Sequence, residues 1–403
     1  MRVLLVGSGG REHAIGWKLA RSPRVDELIS LPGNPGLAEL GPTVEGIAVD
    51  DVGAIAAMAR IHDVELVVVG PEAPLAAGLA DAVCRLGIPV FGPTRAASRL
   101  ESSKAFAKQV MTRAGVPTGS AARFEDADEA REHLDRQDGP FVVKADGLAG
   151  GKGVLVTESR RDAVSWVTHW IEQGPVVVEE YLEGPEVSVF AVCTESGAVA
   201  LEPARDYKRL MEDDQGPNTG GMGAFSPVGD LPPGLVEETM TRVIHPTLNQ
   251  MRADGNPFTG FLYAGLVLTD EGPKVLEFNV RLGDPETQVI LPRLDSDLVD
   301  VLEGAPPVWS GRAAVNVVMA AKGYPTAPER GAEIRGLEGD SGEDVVVFHA
   351  GTAAEGKKLF VDGGRVLSVV GMGDTLGQAR DRAYATADRI TWPGVQYRRD
   401  IAG

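Results

Sequence analysis

Over roughly the first ninety positions, short apolar runs alternate with stretches in which apolar residues recur at helical spacing. The runs at 3–6, 27–31, 65–69 and 89–91 read as strands, and 12–20, 52–61 and 75–86 read as helices. Such β-α-β alternation predicts a parallel sheet covered by helices on both faces, with ligands at the carboxyl ends of its strands. Gly7-Ser8-Gly9-Gly10-Arg11-Glu12, Pro32-Gly33-Asn34-Pro35-Gly36 and Gly70-Pro71-Glu72 all fall at such ends. Beyond a boundary at 93–103 the pattern changes. A helix starts at Ser103-Lys104, and 117–184 reads as α+β around a glycine-rich turn. Strand-like runs at 261–268 and 274–280, linked by Thr269-Asp270-Glu271-Gly272-Pro273, predict a hairpin. Strands at 315–321, 345–349, 358–361 and 366–370 follow, then a helix over 376–390 capped by Asp374 or Thr375. The fold class is therefore multidomain, α/β first and α+β after.

The second hairpin strand carries candidate chemistry. Side chains alternate along a strand, so Glu277, Asn279 and Arg281 are expected on one face and Leu276, Phe278 and Val280 on the other. A carboxylate and a carboxamide two residues apart are hard oxygen ligands suited to one small divalent cation, usually magnesium shared with substrate phosphates. Arg281 beside them suits a bidentate grip on a carboxylate or phosphate.

Three glycine-rich segments add phosphate-binding character. Gly7-Ser8-Gly9-Gly10 lacks the third glycine of a dinucleotide fingerprint, because Glu12 stands there. No acidic residue ends the second strand to hold a ribose, so NAD is disfavoured. What remains is either a plain tight turn or a set of backbone amides at a helix N-terminus, with Arg11 adding charge. Lys144-Ala145-Asp146 followed by Gly147-Leu148-Ala149-Gly150-Gly151-Lys152-Gly153 joins two strands through a loop bracketed by lysines. It is not a P-loop, since a strand follows where a helix is required. Gly216-Pro217-Asn218-Thr219-Gly220-Gly221-Met222-Gly223 is a third loop that a ligand can approach closely. Between these, Glu179-Glu180-Tyr181-Leu182 ends an apolar strand against which a purine fits, with Glu186 placed to accept from ribose hydroxyls. Arg205-Asp206-Tyr207-Lys208-Arg209 clusters both signs of charge, as a zwitterionic substrate requires.

Composition narrows the field. A length of 403 residues predicts two to four domains, and no apolar run approaches a membrane span. A formal charge of -19 argues against nucleic acid as a partner. Cys84 and Cys193 stand alone, which points to the cytoplasm and away from disulfides or a thiolate metal site. His13, His245 and His349 are isolated in sequence and carry no zinc motif. No serine or cysteine sits in a nucleophile motif, so the chemistry reads as phosphate handling by lysines, glycines and one metal.

Taken in order, these segments resemble the phosphoribosylamine-glycine ligase (glycinamide ribonucleotide synthetase) family of the ATP-grasp superfamily over essentially the whole chain. Gly216 to Ala224 and Arg281-Leu282-Gly283-Asp284-Pro285-Glu286-Thr287-Gln288 are the most specific matches. The resemblance implies an N-terminal phosphoribosylamine domain at 1–102, an ATP-grasp domain at 103–310 with a lid at about 119–184, and a C-terminal domain at 311–403. It implies ATP with Mg2+ or Mn2+, glycine and 5-phosphoribosylamine as small-molecule partners, and a monomer. Carried over by position, Lys104, Lys144, Gly150, Gly151 and Lys152 contact ATP phosphates, while Glu179, Glu180, Tyr181, Leu182 and Glu186 hold adenosine. Glu277 and Asn279 bind the metal, and Arg281, Asp206 and Lys152 are the catalytic set, the first two on glycine. Gly9, Gly10, Arg11, Glu12, Gly33, Asn34, Glu72, Lys208, Asn218, Thr219, Gly220, Gly221 and Met222, with Arg281, are the substrate-binding candidates. Three departures stand out: a short link between Trp170 and Val176, Tyr207 where the family commonly has His, and Gly150 where it has Ala. The rival readings are another ATP-grasp carboxylate-amine ligase, a nicotinamide dehydrogenase and a noncatalytic ATP-binding module. Ala264, Gly265 and Leu266 disfavour the first, because many such ligases place a further metal carboxylate on that strand.

Overall fold

A computed structural model describes residues 1–148, 153–338 and 342–403. The N-terminal sheet is parallel, ordered Glu27–Pro32, Arg2–Gly7, Leu66–Val69, Val90–Phe91. The strand Arg2–Gly7 is apolar from Val3 to Val6 because both its faces are covered: Leu4 and Val6 enter one core, Val3 and Leu5 another. The helix expected at 75–86 is two helices, Glu72–Ala77 and Leu79–Cys84. Gly78 between them has φ 94, a left-handed conformation that ends the first helix.

The antiparallel sheet Ala121–Phe124, Val176–Glu179, Phe141–Ala145, Val154–Thr157 packs one face on the helices Ala127–Leu134 and Arg160–Ile171. Phe141, Val143, Val176 and Val178 fill that core. Strand alternation therefore turns Lys144 and Glu179 to the opposite face, where they line a cavity.

A second antiparallel sheet runs Gly197–Ala200, Glu186–Thr194, Gly260–Thr269, Gly272–Asn279. Its hairpin closes at Thr269 and Gly272, so the loop is the two residues Asp270 and Glu271 rather than the five-residue link expected. Gly265 pairs with Glu277 and Leu266 with Val275, leaving Leu276 as the extra residue of a β-bulge. Val275, Phe278 and Val280 enter the core, whereas Leu276 lines the cavity beside Glu277. The expectation that Leu276 faces the core is therefore corrected, and the bulge is the cause.

The last large sheet is ordered Arg205–Asp206, Gly223–Ser226, Ala313–Ala320, Arg365–Gly373, Val345–His349, backed by the helix Leu376–Ala387. Two of its strands come from the middle of the chain. Thr375 is the helix N-cap, its Oγ1 accepting from Gln378 N at 3.2 Å. Among the described residues no helix is long and apolar enough to cross a membrane.

Candidate functional site

Where these sheets converge, a cavity of about 350 Å³ opens. Its wall takes Arg11 and Glu72 from the first turns of the helices Gly10–Leu19 and Glu72–Ala77, which follow strands of the parallel sheet, and Lys104, Ala107, Lys108 and Met111 from the helix Lys104–Ala114. Lys144, Gly147, Glu179, Leu276, Glu277, Asn279, Arg281, Asp284, Gly220 and Arg365 complete much of the rest. Leu100, Ala107, Met111, Val154, Leu276 and Phe278 give the polar wall an apolar counterpart.

The lysine side is built on one carboxylate. Glu179 Oε2 accepts from Lys144 Nζ at 2.9 Å and lies 3.1 Å from Lys108 Nζ. Lys144 and Glu179 are only 3% and 4% exposed, so neither charge is relieved by bulk water. Burial holds the Lys108 ammonium below the usual lysine range, with Glu179 opposing the shift. Lys104 is likewise lowered by burial, with Glu277 opposing, and its Nζ donates to Gly147 O at 2.9 Å. Asp146 ties the start of that helix to the glycine-rich loop, its Oδ1 accepting from Ser103 Oγ at 3.0 Å and Ala105 N at 3.2 Å. Sequence reading missed Lys108, although its position one helical turn after Lys104 puts both on one face. Gly150, Gly151 and Lys152 lie outside the described residues.

The oxygen pair behaves as one unit. Asn279 Nδ2 donates to Glu277 Oε1 at 3.3 Å, and Asn279 Oδ1 accepts from Arg281 Nη2 at 3.0 Å. Burial pushes the Glu277 carboxyl up, but Lys208 and Lys144 outweigh it and hold the group below the ordinary carboxylate range. A divalent cation fits this donor set: two hard oxygens on the cavity wall, one kept anionic. Among the described residues no cluster of three or more His, Cys, Asp or Glu is arranged to hold a metal. Phosphate oxygens and water would have to supply the remaining ligands.

Arg281 is held between two carboxylates, Glu101 Oε1 at 3.0 Å and Glu72 Oε2 at 3.3 Å. Burial works against its charge, yet Glu101 and Glu72 more than offset that and raise its pKa. Glu101, missed in the sequence, also accepts from Val280 N at 2.8 Å, and burial pushes its carboxyl up. Asp206, Lys208 and Glu186 form a further charged group that acts electrostatically on Glu277, with Lys208 Nζ donating to Glu186. Burial raises the Asp206 carboxyl against the pull of Lys208. Glu286 is pushed up to about 7 by burial and then by Asp206, and its Oε1 lies 3.0 Å from Ser188 Oγ.

Several candidates also have structural partners within the fold. Asn34 Oδ1 accepts from Leu37 N at 2.9 Å as a helix cap, while Nδ2 donates to Ser8 O and His349 O, both at 2.8 Å. Glu12 accepts from Gly9 N at 2.7 Å and from Arg11 Nε at 2.6 Å, filling the space where side chains on Gly7 or Gly70 would overlap it. Gly10 is packed against Gln288 and Ser368, and Gly33 against Thr43. Met222 is fully buried, its N donating to Tyr207 O at 2.7 Å. Thr219 Oγ1 donates to Lys208 O at 2.8 Å, and Gly221 has φ 110 with Pro285 packed against it. Asn218 is exposed at the end of the hairpin strand Gln215–Asn218, paired with Arg209. Glu180 and Tyr181 are exposed; Glu180 Oε2 accepts from Ser120 N at 2.9 Å, and Leu182 packs near Gly119.

The chain's relatives carry the same architecture. Residues 1–101, 102–287 and 314–403 match the N, ATP-grasp (A) and C domain models of phosphoribosylglycinamide synthetase. The phosphoribosylamine-glycine ligase of Mesorhizobium japonicum is 46% identical over 415 residues, covering 100% of this chain and 97% of that protein. That of Leifsonia xyli is 48% identical over 414 residues, covering 100% and 99%. The crystal structure of the Thermotoga maritima phosphoribosylamine-glycine ligase superposes with a TM-score of 0.87 at 38% identity, covering 100% of both chains. With three consecutive domain matches and near-half identity along its full length, the chain belongs to the phosphoribosylglycinamide synthetase family.

Proposed function

We propose that this cavity joins glycine to 5-phosphoribosylamine using ATP, giving glycinamide ribonucleotide, ADP and phosphate in purine biosynthesis. The observation that carries the reading is the meeting of Lys104 and Lys144 with Glu277, Asn279 and Arg281 in one cavity, closed by Arg11 and Glu72. A glycine carboxylate oxygen attacks the γ-phosphorus and ADP leaves, giving glycyl phosphate. The amine of phosphoribosylamine then attacks the acyl carbon, phosphate leaves, and the amine's proton is lost as the amide forms. No protein nucleophile is needed, so catalysis is positioning and charge neutralisation.

In this reading Lys104, Lys144 and Lys152 neutralise ATP phosphates, and the purine lies on the apolar wall near Glu179 to Leu182, with Glu186 on the ribose. Mg2+ or Mn2+ held by Glu277 and Asn279 would neutralise phosphate charge when bound. Arg281 orients glycine's carboxylate and Asp206 its ammonium group. The units 1–102, 103–310 and 311–403 supply the acceptor loops, the nucleotide site and the closing wall. The chain acts in this reading as a monomer, and in the cytoplasm, the latter in keeping with the unpaired Cys84 and Cys193.

The test is ADP release with metal, ATP, glycine and freshly made phosphoribosylamine, omitting each in turn. Dependence on all four is expected; turnover with another amine would keep the ligase chemistry and replace the acceptor.

A further inference from the structure

One cation on the cavity wall comes from the C-terminal part of the chain and belongs to none of the segments that carried the resemblance. Arg365 starts the strand Arg365–Gly373. Its Nη1 donates to Gly220 O at 2.5 Å and Asp284 O at 2.7 Å, and Nη2 donates to Asp284 Oδ2 at 2.8 Å. A guanidinium carries five N–H donors, so these three bonds leave two open among the described residues. The neighbouring arginines are more fully engaged by carboxylates: Arg281 by Glu72 and Glu101, Arg11 by Glu12 at 2.6 Å and Glu72 at 4.0 Å. Arg365 pairs with Asp284 alone among the described residues.

The wall has two electrostatic neighbourhoods that meet where Asn279 bonds both Glu277 and Arg281. Lys104 interacts with Glu277, Lys144, Asp146 and Glu179, whereas Asp284 interacts with Arg365, Arg11 and Arg281. The first suits the nucleotide's phosphates; the second leaves a separate place for another anion. Gly220 in that second place is fixed at both peptide groups, its carbonyl by Arg365 and its N–H by the Tyr324 hydroxyl at 2.8 Å.

We propose that Arg365 binds the phosphate of the phosphorylated amine substrate, and that Tyr324 is a positioning residue that holds Gly220 beside it. This rests on the function proposed above and adds a substrate contact from the C-terminal segment. A planar guanidinium with donors to spare suits a phosphate better than an ammonium group does.

Ribose 5-phosphate is the stable probe, titrated against the full chain and used as a competitor of phosphoribosylamine. Arg365→Ala should weaken its binding and raise the phosphoribosylamine KM by roughly tenfold to a hundredfold, the loss expected for a charged hydrogen bond. The KM values for ATP and glycine should stay within about twofold. Arg365→Lys should recover part of the loss, and Tyr324→Phe should show a smaller loss in the same direction. Unphosphorylated ribose should bind wild type and Arg365→Ala equally. Unchanged ribose 5-phosphate binding in a folded Arg365→Ala protein, or a rise confined to the ATP KM, overturns the assignment. Should that variant not fold, Arg365→Lys decides: looser ribose 5-phosphate binding at constant ATP KM supports it, and unchanged binding overturns it. Wild-type turnover with no need for phosphoribosylamine overturns the proposed function and this inference together.

Discussion

His349 donates its backbone N–H to Nδ1 of His13 across 2.8 Å, joining segments 336 residues apart. The ring centroids lie 5.7 Å apart. The bond requires an unprotonated Nδ1, and burial lowers His13 to about 3 and His349 to about 4. Both values lie below that of an unfolded histidine, so the stabilisation is complete above about pH 6.5 and is lost as pH falls toward them. Between pH 7.5 and 5, wild type should lose about 2 kcal/mol more stability than His13→Asn, whose amide oxygen can still accept. Urea melts at the two pH values check this; equal losses would show that His13 is not held neutral.

Lys144 and Lys108 share Glu179, so removing either leaves the other to balance a buried carboxylate. Lys144→Ala should raise the ATP KM by roughly tenfold to a hundredfold, with the phosphoribosylamine KM little changed. Steady-state titrations of each substrate measure this. An unchanged ATP KM would assign the phosphate contact to Lys104.

Arg281 neutralises Glu72 and Glu101 before any substrate arrives. Arg281→Ala should therefore act twice. The glycine KM rises by about tenfold or more, and leaving Glu101 buried without its partner costs about 3–5 kcal/mol. Glycine kinetics and denaturant melts separate the two effects; a stability loss with normal glycine kinetics would make Arg281 a purely structural residue.

Tyr207 has a structural partner: its hydroxyl accepts from Ala402 N at 2.9 Å, and the Arg398 guanidinium lies 4.8 Å from its ring centroid. Tyr207→Phe should lose about 1 kcal/mol of stability and keep kcat. A kcat drop of tenfold or more in stopped assays would instead place the hydroxyl in the reaction.

The parallel sheet was legible because glycine-bounded apolar runs leave few other solutions, and the hairpin because a short polar and glycine-proline turn joins two strand-like runs. Leu276 was misjudged because a bulge inserts one residue without any mark in composition. Lys144, Glu277 and Arg281 could be found beside glycines and signature residues. Glu101 and Arg365 could not: each reaches the cavity from a segment whose sequence is ordinary, through contacts spanning 179 and 145 residues. Asn34 and Met222 lie in motif segments, and their fold contacts, a helix cap for one and interior packing for the other, carry no mark in those motifs. His13 and His349 look isolated along the chain and become neighbours only through folding.

The sheet that runs from Arg205–Asp206 to Val345–His349 sets a limit on how this chain can be divided. Ala313–Ala320 bonds Gly223–Ser226 on one side and Arg365–Gly373 on the other. A fragment beginning near residue 311 would carry a bare, almost wholly apolar strand edge, ready to pair with the same edge of another molecule. The genetic unit that can be moved between proteins is thus larger than the sequence segment that resembles a module, and its inheritance has to keep residues 205–226 with the C-terminal quarter.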